Sequence, residues 1–515
     1  MSDSSDQAPS VDVNTKRYPA PLNPVPCGMM RQLLFDDFLL GFGSKPEHFM
    51  HAVQFSVGTV AKHGEPIFEG EKPWETSSAW ISVLRDGGKF RMWYNSSHEG
   101  HSGLVVSYVE SDDGIHFERP KLGAIEWRGS RENNIVYTGG EGGVSPELGN
   151  VFIDPNAGGD ERYKLIHAEW MYPWVLEVMR KHKVLHGTNG TLRGAYSPDG
   201  IHWTRYIEEF LPHYPDSQNS VCWDEVLCKY VIYHRWFGEY GGLDLPGLHV
   251  KPTGRGRSVC RIESDDFRTW STSEPVLVAD MQDTLNTDIY TSAYSRHPDN
   301  PNAHYMFPSF YGHYEGWFEA QVCVSRDNRT WQRPTRGTFI PLGERGEFDS
   351  FIVSVAPGIV PISYDEWALY YRSGDGPHGP NQHIMAKMTE EEKANMASRV
   401  SRAVFKRDRV VGIEAGDEPG RFSTRPLSFE GDRLLVNVEP TGPHPELRVQ
   451  LLDPTDGSPI DGYTFEKCHP ITGDELDGAI TWEGRDCIGP EVSREAACLH
   501  FTLRDVRIYA FEFAE

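Results

Sequence analysis

The sequence lacks the cysteine and histidine patterns that hold a metal ion or a disulfide framework. Its eight cysteines form no CxxC pair, and no HxH or HExxH spacing occurs in its 515 residues. Cys222, Cys260 and Cys323 lie in apolar segments, where a reduced, buried thiol is the usual state. We therefore expect neither a catalytic metal nor an organic cofactor.

Long apolar segments and an excess of basic residues are also missing. No run of about 18 apolar residues occurs, so no transmembrane helix is expected. The net charge of −25 excludes nucleic acid and anionic membranes as expected partners, because both need a basic surface. Residues 1–18 are rich in Ser and Asp without an apolar core, so 1–28 is predicted to be a tail of a cytoplasmic protein, not a signal peptide.

The sequence does contain a repeated turn phrase, Ser-Asp-Asp-Gly-Ile-His-Phe at 111–117. Variants of it recur at 197–203, 264–270 and 325–331. Ser and Asp side chains can bind nearby backbone N–H groups, and Gly permits a positive φ. Each copy follows a short apolar strand, so the repeat predicts an array of similar sheets.

Each repeat also contains a polar hairpin turn, and before it a strand that opens near an acidic residue. These acids are 61 to 72 residues apart, and they are Glu75, Glu147, Asp216, Asp288 and Asp349. Five such units of about four strands are typical of a β-propeller. The sequence therefore predicts an all-β protein with a five-bladed propeller at 29–408 and a C-terminal β-sandwich at 409–515.

Three local predictions complete this architecture. The apolar segment 32–40 is expected to supply the outer strand of the fifth blade and so close the ring. The third strand of that blade is expected at 383–387, and a helix at 390–402. This helix and the sandwich could pack against a second copy of the chain, which makes a homo-oligomer one expectation.

The first strand of each propeller blade lines the central axis, so the five acids are expected to surround one pocket. Neighbouring carboxylates raise one another's pKa, which can leave one of them protonated. Glycosidic bond cleavage needs one protonated and one ionised carboxyl group. Acids at strand starts also stabilise turns in inert propellers, so each position has a purely structural alternative. A single structural ion on the axis stays an open alternative.

Aromatic and basic residues near the inner strands are candidates for sugar binding. Indole faces stack on sugar rings, and an arginine binds a carboxylate through two parallel hydrogen bonds. Packing in the blade core is the alternative for each aromatic residue, and pairing with the acids is the alternative for each arginine. The candidates are Trp80, Trp93, Trp170, Arg235, Trp236, His313, Trp317 and Arg372.

The five units, their acids and the C-terminal sandwich resemble the five-bladed glycoside hydrolases of families 32, 43, 68 and 117. The phrases at 34–40, 111–117 and 133–136 are similar to a bacterial, family-32-like branch. The resemblance implies that blades one, two and three supply a base or nucleophile, a pKa modulator and a general acid. By position these are Glu75, Glu147 and Asp216, with Glu169 as the substitute for Glu147. Asp288 and Asp349 would bind sugar hydroxyls or take over one role.

The function expected from this resemblance is a glycoside hydrolase, or an intramolecular transglycosylase, acting on an oligo- or polysaccharide furanoside such as fructan or arabinan. A sialidase-like or lyase enzyme on acidic sugars is an alternative, because the turn phrase resembles the Asp-box of sialidases. Three inward arginines or a tyrosine nucleophile would favour that alternative. A non-catalytic, carbohydrate-binding propeller is the third hypothesis, since a fold alone does not determine function.

Overall fold

The computed structural model describes residues 23–41, 45, 48–75, 77–97, 103–139, 145–170, 190–211, 215–237, 256–284, 286–379 and 381–515. These residues are almost entirely β-strands and turns. The chain divides into two compact units, one formed by Phe55–Gly412 and the other by Met1–Gln54 with Ile413–Glu515. No helix among the described residues is long and apolar enough to cross a bilayer.

Phe55–Gly412 begins with three antiparallel four-stranded sheets, one after another along the chain. Sheet 1 contains Ser77–Asp86, Lys89–Ser97, Leu104–Ser111 and Ile135–Tyr137. Sheet 2 contains Pro146–Ile153, Tyr163–Trp170, Gly190–Ser197 and Thr204–Arg205, with a 3₁₀ turn at Gly159–Glu161. Sheet 3 contains Ser220–Asp224, Lys229–Phe237, Arg257–Ser264 and Glu274–Leu277.

The fourth unit has three strands, each of which is interrupted, so that it forms two half-sheets. One half contains Thr287–Ile289, Ser309–Gly312 and Trp317–Ala320. The other contains Tyr294–Arg296, His304–Met306 and Cys323–Ser325. The first half continues into the strands of the fifth unit through a parallel pairing of Phe318 with Ile352.

The fifth unit contains Ile352–Val355, Val360–Pro361, Glu366–Gly374, Ser398–Lys406 and Ala61–Lys62. Its third strand is therefore Ser398–Lys406, and the prediction of a strand at 383–387 is wrong. Two short helices, Gln382–Met385 and Glu390–Asn395, precede that strand. The second helix begins with a capping box between Thr389 and Glu392, so the predicted helix at 390–402 is correct only for its first half.

The repeated turn phrase has the predicted internal hydrogen bonds. In its first copy Ser111 Oγ accepts from the Gly114 N–H, and Asp113 Oδ1 accepts from the N–H groups of Ile115 and His116. Gly114 has φ +72°, and Phe267 and Asn328 adopt φ +62° and +55° at the same place in later copies. The turn prediction is confirmed, including its positive φ.

Neighbouring units are joined by hydrogen bonds from one unit to the next. Trp93 Nε1 of sheet 1 donates to the Gly200 carbonyl in the turn of the second unit, over 2.7 Å. Tyr233 of sheet 3 donates to the Asn328 carbonyl of the fourth unit in the same way, over 2.8 Å. Tyr370 of the fifth unit donates to the Gly114 carbonyl of the first, over 2.9 Å. The last unit of Phe55–Gly412 therefore contacts the first.

The segment that closes the fifth unit is not the predicted one. Ala61–Lys62 pairs with the strand Ser398–Lys406, whereas Gln32–Leu33 pairs with Val506–Ala514 in the other compact unit. The prediction that 32–40 closes the ring is wrong. Both segments are short and apolar or mixed, and their own sequences do not specify which partner strand they meet.

The second compact unit is built from two larger sheets. Its strands are Val25–Gly28, Gln32–Leu33, Leu40–Gly41, Gln54–Val57, Val411–Ala415, Gly420–Thr424, Leu427–Phe429, Arg433–Pro440, Glu446–Leu452, Glu475–Ala479, Cys498–Arg504 and Val506–Ala514. Phe501 of one sheet contacts Phe511 of the other, with ring centroids 6.2 Å apart. Buried apolar faces therefore hold this unit together.

Candidate active site

Nine side chains from the five units of Phe55–Gly412 surround Tyr290 and, with it, form one set. Trp80 comes from sheet 1, and Glu147, Asp216 and Arg235 come from the second and third units. We call this set the Tyr290 cluster, and its members are Trp80, Glu147, Asp216, Arg235, Arg257, Asp288, Tyr290, His313, Arg372 and His378. It brings three carboxyl groups and three guanidinium groups together.

Asp216 is the most open carboxylate of the cluster. Its side chain is 37% exposed, whereas the Arg235 side chain that donates to its Oδ2 over 2.6 Å is 1% exposed. Arg235 lies 3.7 Å from the centroid of the Tyr290 ring and also donates to the Tyr290 carbonyl. The arginine is thus fixed in the interior and presents the carboxylate outward.

The backbone that carries Asp216 is in an unusual conformation. Asp216 has φ +38° and Ser217 has φ +101°, both in the region that favours glycine. The Ser217 hydroxyl donates to the Tyr290 carbonyl over 3.2 Å, which helps to fix this conformation. Strained backbone of this kind occurs preferentially at functional sites.

Asp288 is sealed within the cluster. Its carboxylate accepts from Arg257 Nη1 over 2.7 Å and from the Gly256 N–H over 2.7 Å, and His313 Nε2 lies 2.6 Å away. Burial alone would raise the pKa of Asp288, but the hydrogen bonds from His313 and Arg257 outweigh it and lower the pKa to about 2. Asp288 is therefore ionised at neutral pH and orients its two basic partners.

Glu147 connects the cluster to sheet 1. Its Oε1 accepts from Trp80 Nε1 over 2.6 Å and from the Ser217 N–H over 3.3 Å. Since Ser217 directly follows Asp216, Glu147 and Asp216 border the same stretch of backbone. Arg372 covers the Trp80 ring, with its guanidinium 5.5 Å from the ring centroid.

His378 lies beside the Tyr290 hydroxyl and has a strongly lowered pKa. Its Nε2 lies 3.1 Å from the Tyr290 hydroxyl. Burial lowers the pKa of His378 to about 3, and the positive charges of Arg372, Arg235 and Arg257 act in the same direction. His378 is therefore a neutral imidazole at neutral pH, mainly because it is buried.

Glu75 lies in a separate, sealed network. Its side chain is 0% exposed, both of its oxygens accept from Arg119 Nε over 3.1 Å, and Tyr94 donates to it as well. Burial would raise the pKa of Glu75, but the hydrogen bonds from Tyr94, the Glu71 N–H and Arg119 lower it. An open cavity lined by Phe68, Phe117 and Arg119 borders this network, away from the Tyr290 cluster.

Asp349 and Glu169 are also held outside the Tyr290 cluster. Asp349 Oδ2 accepts from Lys62 Nζ over 2.9 Å and from the Tyr371 hydroxyl over 3.0 Å. Glu169 is 3% exposed and pairs with Arg205 and Arg193. The structure therefore brings together three of the five predicted acids, and it places Glu75, Asp349 and the substitute Glu169 in buried ion pairs of their own.

The predicted aromatic residues divide between the cluster and the packed interior. Trp80 belongs to the cluster, but Trp93 is 0% exposed and packs between Tyr108 and Tyr163, so it is a core residue. Trp236 contacts the ring of His234, and Trp317 packs partly against the core of the third and fourth units. The Trp170 side chain lies outside the described residues.

The sequence pattern does not single out three members of the cluster: Arg257, Tyr290 and His378. Tyr290 stands two residues after Asp288, on a strand already singled out for its acid. His378 lies in the Gly-Pro-His-Gly-Pro segment 376–380, whose turn residues are typical of a functional loop. Arg257 opens a strand and has no neighbouring signal in the sequence.

Within the described ranges, no group of three or more His, Cys, Asp or Glu side chains is arranged to hold a metal ion. The eight cysteines form no disulfide bond, and Cys222, Cys260 and Cys323 are buried, as predicted. Burial raises the pKa of each of these three thiols to about 12. The reactive groups of the site are therefore carboxylates, arginines, a phenol and imidazoles.

No family model and no curated protein matches this chain. Among solved structures it is similar to an N-acetylgalactosamine deacetylase from F. plautii, at 10% identity over 69% of this chain and 96% of that chain, with a TM-score of 0.43. It is also similar to a glycosyl hydrolase from Bacteroides ovatus, at 14% identity over 69% and 96%, with a TM-score of 0.42. A GH62 alpha-L-arabinofuranosidase catalytic domain from Coprinopsis cinerea matches at 11% identity over 68% and 97%, with a TM-score of 0.39. Matches at this level do not identify a function.

Proposed function

We propose that this protein is an enzyme that cleaves a glycosidic bond of an oligo- or polysaccharide, in a central pocket of a five-bladed propeller. The strand groups of Phe55–Gly412 follow one another along the chain, and contacts between the fifth unit and the first support a closed ring. The two sheets of the other unit are, in this proposal, a β-sandwich. The pocket is the space bordered by the Tyr290 cluster.

One observation carries the proposal: carboxyl groups from three successive units meet in unequal environments. Asp216 is open to solvent, Glu147 is 8% exposed, and Asp288 is sealed and ionised. Glycosidic cleavage requires a carboxylate that attacks or activates water and a second carboxyl group that protonates the leaving oxygen. Asp216 takes the first role because it is accessible, and Glu147 takes the second because it borders the same backbone.

Asp288 has a positioning role in this mechanism. It holds Arg257 against the ring of Tyr290 and His313 against the ring of Tyr311, so that both side chains border the site. The resemblance to the five-bladed hydrolases implied a base or nucleophile in the first blade. Since Glu75 is sealed behind Arg119, the proposed pair instead comes from the second and third units.

The test compares acids at the same place in different units. Asp216→Asn and Glu147→Gln are each expected to lower the rate of sugar release by a factor of about 10² to 10⁴. Rates are measured as reducing ends released from a panel that includes fructan, arabinan and uronic-acid oligosaccharides. Full activity in both variants would overturn the proposal.

Asp349→Asn is the matched control, because Asp349 occupies the same position in the fifth unit but lies outside the Tyr290 cluster. Its activity per folded molecule is expected to stay within about threefold of the wild type, because it contacts no group of the reacting site. A loss as large as that of Asp216→Asn would contradict the assignment of the pair.

A second candidate is a sialidase-like or lyase enzyme on acidic sugars. The observation that favours it is the approach of Arg235 and Arg257 to the Tyr290 ring, at 3.7 and 5.2 Å, with Arg372 nearby. Product analysis separates the candidates, because a lyase forms an unsaturated sugar and a hydrolase adds water. Binding without turnover of any panel member would support the third hypothesis, a non-catalytic sugar-binding propeller.

A further inference from the structure

The three arginines of the Tyr290 cluster differ in their partners. Arg235 pairs with Asp216 and Arg257 pairs with Asp288, at 2.6 and 2.7 Å. Arg372 has no carboxylate partner among the described residues, and its one hydrogen bond there runs from Nε to Ser398 Oγ over 2.9 Å. A half-buried guanidinium without an acidic partner is unfavourable unless another anion compensates it.

The Arg372 guanidinium has one edge that no described side chain occupies. Its Nε is used by Ser398, so Nη1 and Nη2 remain without a hydrogen bond to any described residue, and neither is sealed from solvent. The guanidinium lies over the Trp80 ring, and Trp80 binds the proposed catalytic Glu147. An anion at this edge would therefore be held beside the reacting carboxyl groups.

The surroundings of Arg372 support an anionic ligand. Burial lowers the pKa of Arg372, and Glu147 compensates its charge only through space. Burial is the main cause of the lowered pKa of His378, and the charges of Arg372, Arg235 and Arg257 act in the same direction. Arg372 is thus the guanidinium of the cluster that has no described carboxylate within hydrogen-bond distance.

We propose that Arg372 binds a carboxylate of the substrate, so that the sugar processed at this site is a uronic acid or another carboxylated sugar. Two parallel N–H groups of a guanidinium match the two oxygens of a planar carboxylate. The inference rests on the proposed function for the catalytic step, but the binding of the carboxylate is measured separately from cleavage.

The experiment is a chemical double-mutant cycle. Binding of trigalacturonic and triglucuronic acid, and of their methyl esters, is measured by calorimetry on the full chain for the wild type and for Arg372→Met. Loss of one charge-assisted pair corresponds to about a 10- to 100-fold weaker affinity. Esterification and Arg372→Met are each expected to cause this loss, and the two changes together are expected to cause no further loss.

Two further variants complete the design. Arg372→Lys keeps the charge but not the two-pronged geometry, and we expect an intermediate affinity. Arg85→Met is the matched control, since Arg85 is exposed and donates to the carbonyls of Pro361 and Ile362 instead of to an acid. Its affinity for each probe is expected to equal that of the wild type.

Binding and cleavage can fail independently. Equal affinity for the acids and their esters, or additive losses in the cycle, would overturn the inference, as would tighter binding of sulfated trisaccharides. If the protein cleaved a neutral sugar of the panel but did not bind uronates, the proposed function would be supported and the carboxylate-binding inference would be overturned. Uronate binding that depends on Arg372 without any cleavage would confirm the inference as a binding property and overturn the proposed hydrolase.

Discussion

Glu75 and Asp216 occupy the same place in their units, and both pair with an arginine. The arginine is the more exposed partner in the first pair, whereas the acid is the more exposed partner in the second. In the first pair the acid is 0% exposed and Arg119 is 15% exposed. In the second pair Arg235 is 1% exposed and the acid is 37% exposed. A buried acid with an outward arginine stabilises the fold, whereas a buried arginine with an outward acid presents a carboxylate to a ligand.

Position in a repeat therefore does not by itself decide whether an acid is open to solvent. Both side chains precede a first strand of their unit, and both accept hydrogen bonds. What differs is where the donors come from. Glu75 accepts hydrogen bonds from the backbone N–H groups of residues 71 and 72 and from the Tyr94 hydroxyl, which enclose it. Asp216 accepts a hydrogen bond from the buried Arg235 side chain.

The largest expected effect is a loss of stability when an arginine paired with a buried acid is removed, compared with an arginine that has no described acidic partner. Arg119→Met leaves the Glu75 carboxylate buried without its cation, which costs about 3 to 5 kcal/mol of stability. Arg372→Met removes a guanidinium that has no acidic partner among the described residues, so its stability should change by less than about 1 kcal/mol. Urea unfolding monitored by tryptophan fluorescence measures both. Equal destabilisation would show that Arg372 is a structural residue like Arg119.

An intermediate effect is expected from acid titration of Asp288. Its pKa is about 2 in the folded protein against an ordinary value of 3.8. Because the folded-state value is the lower one, this carboxylate stabilises the fold above pH 4, and the contribution of about 2 kcal/mol is lost as the pH falls toward 2. Asp288→Asn should therefore flatten the decline of the urea midpoint between pH 5 and 2. An unchanged pH profile would contradict the ion pairing described for Asp288.

The local parts of the fold could be predicted from the sequence. The turn at 111–117 is determined by hydrogen bonds within seven residues, so its Ser, Asp and Gly predict it directly. The segment 32–40 could not be placed, because its partner strand is chosen by contacts with residues more than 400 positions away. The helix before Ser398 was predicted too long, since the Thr389 cap marks where it begins and no comparable residue marks its end.

The site was predictable only as far as the repeat extends. Glu147, Asp216 and Asp288 could be found from the spacing of the acids, and Arg235 and Arg372 from their equivalent strands. The spacing of the repeat could not distinguish Trp80 from Trp93. Both indoles donate a hydrogen bond, but the acceptor is the Glu147 carboxylate for Trp80 and the Gly200 turn carbonyl for Trp93. Which of two similar side chains faces the site depends on how the units pack.

The smallest expected effect is a difference in stability between two tyrosine variants, one beside each acid: Tyr94 beside Glu75, and Tyr290 beside the Asp216–Arg235 pair. Tyr94 donates to the charged Glu75, and its hydroxyl accepts from Asn134 Nδ2, whereas the Tyr290 hydroxyl contacts the neutral His378. Hydrogen bonds to charged groups contribute more than neutral ones, so Tyr94→Phe should cost about 1 kcal/mol more than Tyr290→Phe in urea unfolding. If Tyr290→Phe were the more damaging change, the Tyr290 cluster would be held together by its own hydrogen bonds, and its arrangement would reflect folding rather than readiness for a ligand.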